Sequence, residues 1–198
     1  MRAEVALAAW TRAVLLDNDA VADRVRPALA DLLPDLRDEL NGYRAAVDRA
    51  DRRFAAAFAL LRTPGAKPYL VAGVGRERPR GIDDFRDNWW CAPVGTKKPV
   101  EGPAASFLTA AERESLARER AKLRAIPTGP NYLATIAIDR ALKTPRDDRV
   151  PEALHLAVRS TRFGCVDAAT SRRSRQAFTI LHEQYPKNPW TARTPYWF

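Results

Sequence analysis

Glu152, His155, Arg159 and Arg162 stand at i, i+3, i+7 and i+10, a spacing that aligns side chains along one face of a helix. Arg172, Arg173 and Arg175 open the next helical stretch, where the unpaired N–H groups of a helix start add partial positive charge. Together these groups could bind a phosphate, a carboxylate or an acidic peptide. They equally describe a solvated face in which Glu152 pairs with His155 or Arg159. Sequence leaves both readings open.

A second candidate is Asp87-Asn88-Trp89-Trp90-Cys91. Tryptophans are favoured anchors at interfaces, so Trp89 and Trp90 could line a ligand or peptide pocket. Alternatively both indoles pin their segment to a helical core, each N–H finding a carbonyl. The two cysteines and two histidines of the chain are Cys91, Cys165, His155 and His182. They could make one tetrahedral zinc site, although no two share a turn or a knuckle. A Cys165–His155 nucleophile pair with Asp167 needs a geometry that spacing does not supply. The safer joint reading is a Cys91–Cys165 disulfide tying the tryptophan segment to the last hairpin. No Gly-rich phosphate loop, G-x-S-x-G or H-E-x-x-H occurs, so no catalytic residue, metal or nucleotide cofactor is expected.

These groups must be positioned by helices. Apolar stripes at helical spacing run through Val5, Ala9 and Leu16, with Trp10 as a bulky anchor. They continue through Val21, Val25, Leu29 and Leu32, where Pro27 predicts a kink or a break. Leu36, Leu40, Tyr43 and Val47 make a third stripe, and Phe54, Phe58 and Leu61 a fourth. Thr109 and Glu112 form a capping box before a charged helix with a thin seam at Leu116 and Leu123. Leu133, Ile136, Ala137 and Leu142 mark the next helix. From Val150 a closing hairpin follows, with Pro151 at a first helical position, Gly164 as a C-terminal cap and Pro186 as a stop. Residues 73–108 carry five glycines and four prolines, which preclude long helices apart from a short one around Ile82–Trp90. The expected division is a helical bundle at 1–72, a Gly/Pro/Trp-rich loop packed on the helices at 73–108, and C-terminal hairpins at 109–198.

The net charge of +9 over 198 residues is mostly arginine mixed with carboxylates. Dispersed charge of that kind favours a solvated exterior over a nucleic-acid tract, which would be more clustered. The longest uncharged run, residues 125–138, contains Pro127, Gly129 and Pro130 and is too short to span a bilayer. Glu4 and Arg12 break the opening segment, so it is no signal peptide. Its immediate entry into a helix resembles a piece of a longer protein, leaving a cytoplasmic or periplasmic location open.

Ala-Phe-Thr-Ile-Leu-His-Glu-Gln-Tyr-Pro at 177–186 resembles the second helix of a tetratricopeptide-type repeat, with Ala177, Leu181 and Pro186 at its packing and stop positions. The family's W…L-G…Y pattern is absent from the preceding helix. With Pro130-Asn131-Tyr132-Leu133, residues 149–158 and the Tyr196-Trp197-Phe198 ending, the chain also resembles the C-terminal region of large uncharacterised bacterial proteins built from helical repeats. The helical stripes joined by short turns already predict an all-α fold of stacked antiparallel hairpins, a solenoid or an irregular bundle, which these resemblances match. The resemblances also imply a scaffold that binds a protein or peptide, with the aromatic ending as a terminal cap. Two other expectations stand beside that one. The first is an arginine-driven binder of nucleic acid or another anion, and the second an enzyme with 73–108 as a lid.

Overall fold

The computed structural model describes residues 2–69, 89–91, 106–162 and 165–198. Helix α1 (Ala3–Leu15) ends where Asp17 takes a positive φ of 54°. Asn18 N–H bonds the Ala13 carbonyl at 2.9 Å and Asp17 N–H the Val14 carbonyl at 3.3 Å, the paired bonds that satisfy a helix C-terminus. The Asn18 side chain then accepts from Val21 N–H at 3.2 Å and caps α2 (Asp19–Leu32). Three polar residues thus stop one helix and start the next. Pro27 lies inside α2, which nevertheless continues as one helix. Burial of Ala22 and Leu29 on its inner face outweighs the ladder bond that proline removes.

A 3₁₀ turn at Pro34–Leu36 leads into α3 (Arg37–Ala45). Leu36, Leu40 and Tyr43 are buried as their spacing predicts, but Val47 is 86% exposed because the helix has ended two residues earlier. Asp48 caps α4 (Arg49–Leu61) by accepting from Asp51 N–H at 2.7 Å. Every residue from Phe54 to Leu61 is buried, as expected of a helix surrounded by others. Indeed α4 touches α1, α3, α6 and α7.

The capping box at Thr109 and Glu112 forms and opens α5 (Ala110–Arg124), which buries none of its residues. Its contact with α1 includes Arg12 and Glu119, 2.7 Å apart. Helices α6 (Gly129–Lys143), α7 (Val150–Ser160) and α8 (Thr170–Gln184) pack against one another. Leu133, Ile138, Leu154 and Leu181 fill the space between them. Leu142, expected on the buried stripe, is 57% exposed. α7 stops at Ser160, short of Gly164, which lies outside the described residues. A single turn, α9 (Pro189–Ala192), precedes the C-terminal arm.

The fold is all-α, with no strand among the described residues. Pairs α1/α2, α3/α4 and α7/α8 form helical hairpins, and α6 joins the last of them to α4. A polar hub secures that junction. Arg140 on α6 reaches Asp51 on α4 at 2.6 Å and Asp147 in the α6–α7 turn at 2.7 Å, while Arg149 meets Asp147 at 2.8 Å. The guanidinium carbons of Arg140 and Arg149 both lie near the Phe54 ring centre, at 5.1 and 4.9 Å. Burial by itself would raise the pKa of Asp147, but hydrogen bonds from Arg149 and Arg140 overcome it and hold the carboxyl at about 2. Most of the expected loop at 73–108, including the short helix around Ile82, lies outside the described residues.

Candidate functional site

The apolar face of α7, Val150, Ala153, Leu154, Ala157 and Val158, is fully buried, which turns its polar face toward the C-terminal arm. That face does not stay together. Glu152 leaves it to meet Arg62, the residue that follows α4, at 3.1 Å, and Arg62 also pairs with Glu39 of α3. His155 is 3% exposed and lies beneath the arm, its ring 5.0 Å from that of Trp190. Arg159 and Arg162 reach the surface, where they line a groove of about 110 Å³ with Arg193, Tyr196 and Phe198.

Thr194 is the main fastening of the arm. Asn188 accepts from Trp190 N–H at 3.0 Å and Pro189 sits in the first turn, which together set α9. Thr194, 2% exposed, then donates its hydroxyl to the Trp190 carbonyl at 2.8 Å. That hydroxyl can therefore accept from His155 Nδ1–H, 2.7 Å away. The Thr194 carbonyl can only accept, so His182 Nε2–H is the donor of their 2.8 Å bond. Burial first, and then the charges of Arg159 and Arg193, lower the His155 pKa to about 4. His155 is thus neutral at pH 7 and adds no charge of its own beside the guanidiniums that line the groove. Further out, Phe198 N–H donates to Ser174 Oγ at 3.1 Å, and the Arg162 guanidinium lies 5.1 Å from the Phe198 ring centre. Trp197 leans on Phe178 and Arg175 of α8 and stays 42% exposed. Three guanidiniums over an aromatic wall can hold a carboxylate or phosphate by charge-assisted hydrogen bonds.

Of the other expected binding residues, Arg172 and Arg173 occupy the first turn of α8 and do not line this groove. Arg173 contacts Gln176 at 3.2 Å. Trp89 and Trp90, expected either as pocket walls or as pins, are 2% and 3% exposed. Trp89 Nε1–H donates to the Leu60 carbonyl at 3.2 Å and Trp90 Nε1–H to the Pro127 carbonyl at 2.9 Å. The Trp90 carbonyl in turn accepts from Gly129 N–H at 2.8 Å. A Cβ at position 129 would stand 2.4 Å from Trp89 Cβ, so the absence of a side chain there makes the notch that receives both indoles. Burial on this scale removes both tryptophans from any surface pocket. Cys91, next in the chain, is joined to Cys165 with a Cα separation of 5.2 Å. Neither sulfur is then available as a zinc ligand or a nucleophile. Asp167 is engaged by Asn131 Nδ2 at 2.6 Å and by Ala169 N–H at 2.7 Å.

Sequence reading missed a larger cavity of about 330 Å³ where the α1–α2 turn faces α4. Arg49 on its rim pairs with Asp17 at 2.8 Å, and Arg52 approaches Asp19 at 3.3 Å and Asp23 at 3.6 Å. Tyr43 O–H donates to Asp19 at 2.8 Å. Burial, followed by that hydrogen bond and the nearby carboxylate charge, raises the Tyr43 pKa far above its ordinary value. The Arg53 guanidinium lies 5.5 Å from the Tyr132 ring centre. In the sequence Asp17-Asn18-Asp19 is a helix break and residues 49–53 a charged helix start, and nothing in the spacing connects them to each other or to Tyr132.

No family model, curated protein or solved structure matches this chain.

Proposed function

We propose that this chain is a non-enzymatic helical-repeat scaffold that holds a protein partner by an acidic segment, seated on the groove between α7 and the C-terminal arm. One observation carries the reading. Arg159, Arg162 and Arg193 all line one concave surface, and guanidiniums brought together on a concave face are suited to charge-assisted hydrogen bonds with a carboxylate. A groove of about 110 Å³ suits one acidic side chain at a time, which favours an extended peptide over a bulky cofactor. The half-exposed rings of Tyr196 and Trp197 extend that surface with the residue types that anchor interfaces. The helical hairpins supply a rigid frame for it, as they do in the repeat families that the closing helix resembles.

The test uses a fluorescent octapeptide of alternating glutamate and glycine, and a second in which glutamine replaces glutamate. Anisotropy titration is expected to show saturable binding of the acidic peptide, none of the glutamine peptide, and at least tenfold weaker binding to the R159Q/R193Q protein. Equal affinity in the variant overturns the assignment. Tighter binding of a single-stranded oligonucleotide, falling steeply with added salt, would replace it with a nucleic-acid reading.

A further inference from the structure

We propose a second, separate binding site in the cavity between the α1–α2 turn and α4, for a small carboxylate with an apolar body such as an aromatic acid. The volume, about 330 Å³, falls at the lower end of small-molecule sites, roughly 300–1,000 Å³. It exists because Ala56 and Ala57 face it from α4, leaving room where larger side chains would have closed the contact with Leu15. Those alanines and Leu60 make an apolar floor, and Tyr132 flanks it as an aromatic wall.

The charges on the rim decide the class of ligand. Asp17 already accepts from Arg49, and Asp19 accepts from Tyr43 and is ion-paired with Arg52. Arg49 and Arg52 are correspondingly occupied. Arg53 is different: among the described residues it has no carboxylate within ion-pair distance, and its guanidinium rests against the Tyr132 ring. The group at the mouth that lacks a carboxylate among the described residues is thus a cation beside the Tyr132 ring and hydroxyl, above an apolar floor. A carboxylate attached to a flat apolar body satisfies all three at once, with its anion on Arg53 and its body over Ala56, Ala57 and Leu60. A cationic ligand would have to displace a guanidinium from Asp17 or Asp19 to enter. The turn that forms the opposite lip is set by Asp17 in the left-handed region, a conformation that a side chain adopts at a cost of about 1–3 kcal/mol.

The test is heteronuclear NMR titration of the whole chain with benzoate, benzyl alcohol and benzylamine. Benzoate is expected to saturate with shifts at Tyr132 and at residues 56–60, and to bind about tenfold more tightly than benzyl alcohol. In the R53Q variant benzoate should fall to the affinity of benzyl alcohol. A57L should block both by filling the floor, with R53Q deciding the matter if A57L does not fold. R159Q/R193Q should leave benzoate binding unchanged, which separates this site from the groove on α7. Unaltered benzoate affinity in R53Q, a preference for benzylamine, or shifts confined to residues 190–198 would each overturn the proposal.

Discussion

Two aromatic segments of nearly the same composition meet opposite fates in this molecule. Trp89-Trp90 is enclosed, whereas Tyr196-Trp197-Phe198 lies half in water. Hydrophobicity does not separate them. The difference is in what the partner surface provides. Trp89 and Trp90 each donate to a carbonyl near a helix end, Leu60 in the last turn of α4 and Pro127 just before α6, and share a notch at Gly129 that no other residue would leave. A bonded Cys91 then fixes the segment from its far side. The C-terminal arm is offered helix sides rather than helix ends. It is fastened through backbone and hydroxyl groups, chiefly Thr194 and Ser174, while its rings lean on Phe178 and on arginines. One segment has become core, and the other is left to present a surface.

Substitutions should divide along that line. The largest effect is expected from Trp89→Ala, a loss of roughly 3–5 kcal/mol in urea unfolding, because the hole lies among α4 and α6 residues that cannot collapse into it. Gly129→Ala should approach that value from the other side, by forcing the indoles out of their notch. A loss below about 1 kcal/mol for both would mean that the segment is not part of the core. Next comes the C91S/C165S pair, whose cysteines are 74 residues apart. It should lose about 2–4 kcal/mol, and the parent protein should lose the same on reduction. Equal unfolding midpoints with and without reductant would contradict this.

The arm should respond more weakly. Thr194→Val leaves His155 Nδ1–H buried without an acceptor, an expected loss of about 1–3 kcal/mol. His155 adds a pH signature. Its pKa is about 4 in the folded protein against an ordinary 6.5, so between these values the unfolded chain binds the proton and the folded one does not. Stability present above pH 6.5 should therefore decline toward pH 4, and this decline should shrink in H155Q. Asp147 acts in a lower window. Held at about 2 against 3.8, it contributes stability above pH 4 that is lost below it. A flat profile between pH 6.5 and 4 would contradict the burial of His155. Trp197→Ala should cost least, within about 1 kcal/mol, while weakening capture of the acidic peptide.

How far the sequence carried this picture depended on range. Stripes such as Phe54/Phe58/Leu61 and Leu133/Ile136/Ala137 are local signals, and those residues are buried. The capping box at Thr109 and the stop before Pro186 were legible for the same reason, while Ala177 and Leu181, singled out by the resemblance alone, are buried. Val47 and Leu142 were misplaced because a stripe predicts a face but not where its helix ends or whether a neighbour covers it. Of the two outcomes that Pro27 predicts, the break does not occur, since α2 runs through it as one helix. The partition of the α7 polar face could not be foreseen, since Arg62 and Thr194, which take Glu152 and His155 from it, are remote in the chain. Arg193 joined the groove unannounced for that reason. The cavity by Arg53 was illegible because its walls come from α1, α2, α3, α4 and α6.

The contrast between enclosed and presented aromatics can be read directly from hydrogen exchange of the indole N–H protons, of which the five tryptophans supply one each. The Trp89 and Trp90 protons are expected to persist in deuterated buffer on the timescale of global unfolding, while that of Trp197 exchanges at once. Rapid exchange at Trp89 and Trp90, or protection at Trp197 equal to theirs, would contradict the account.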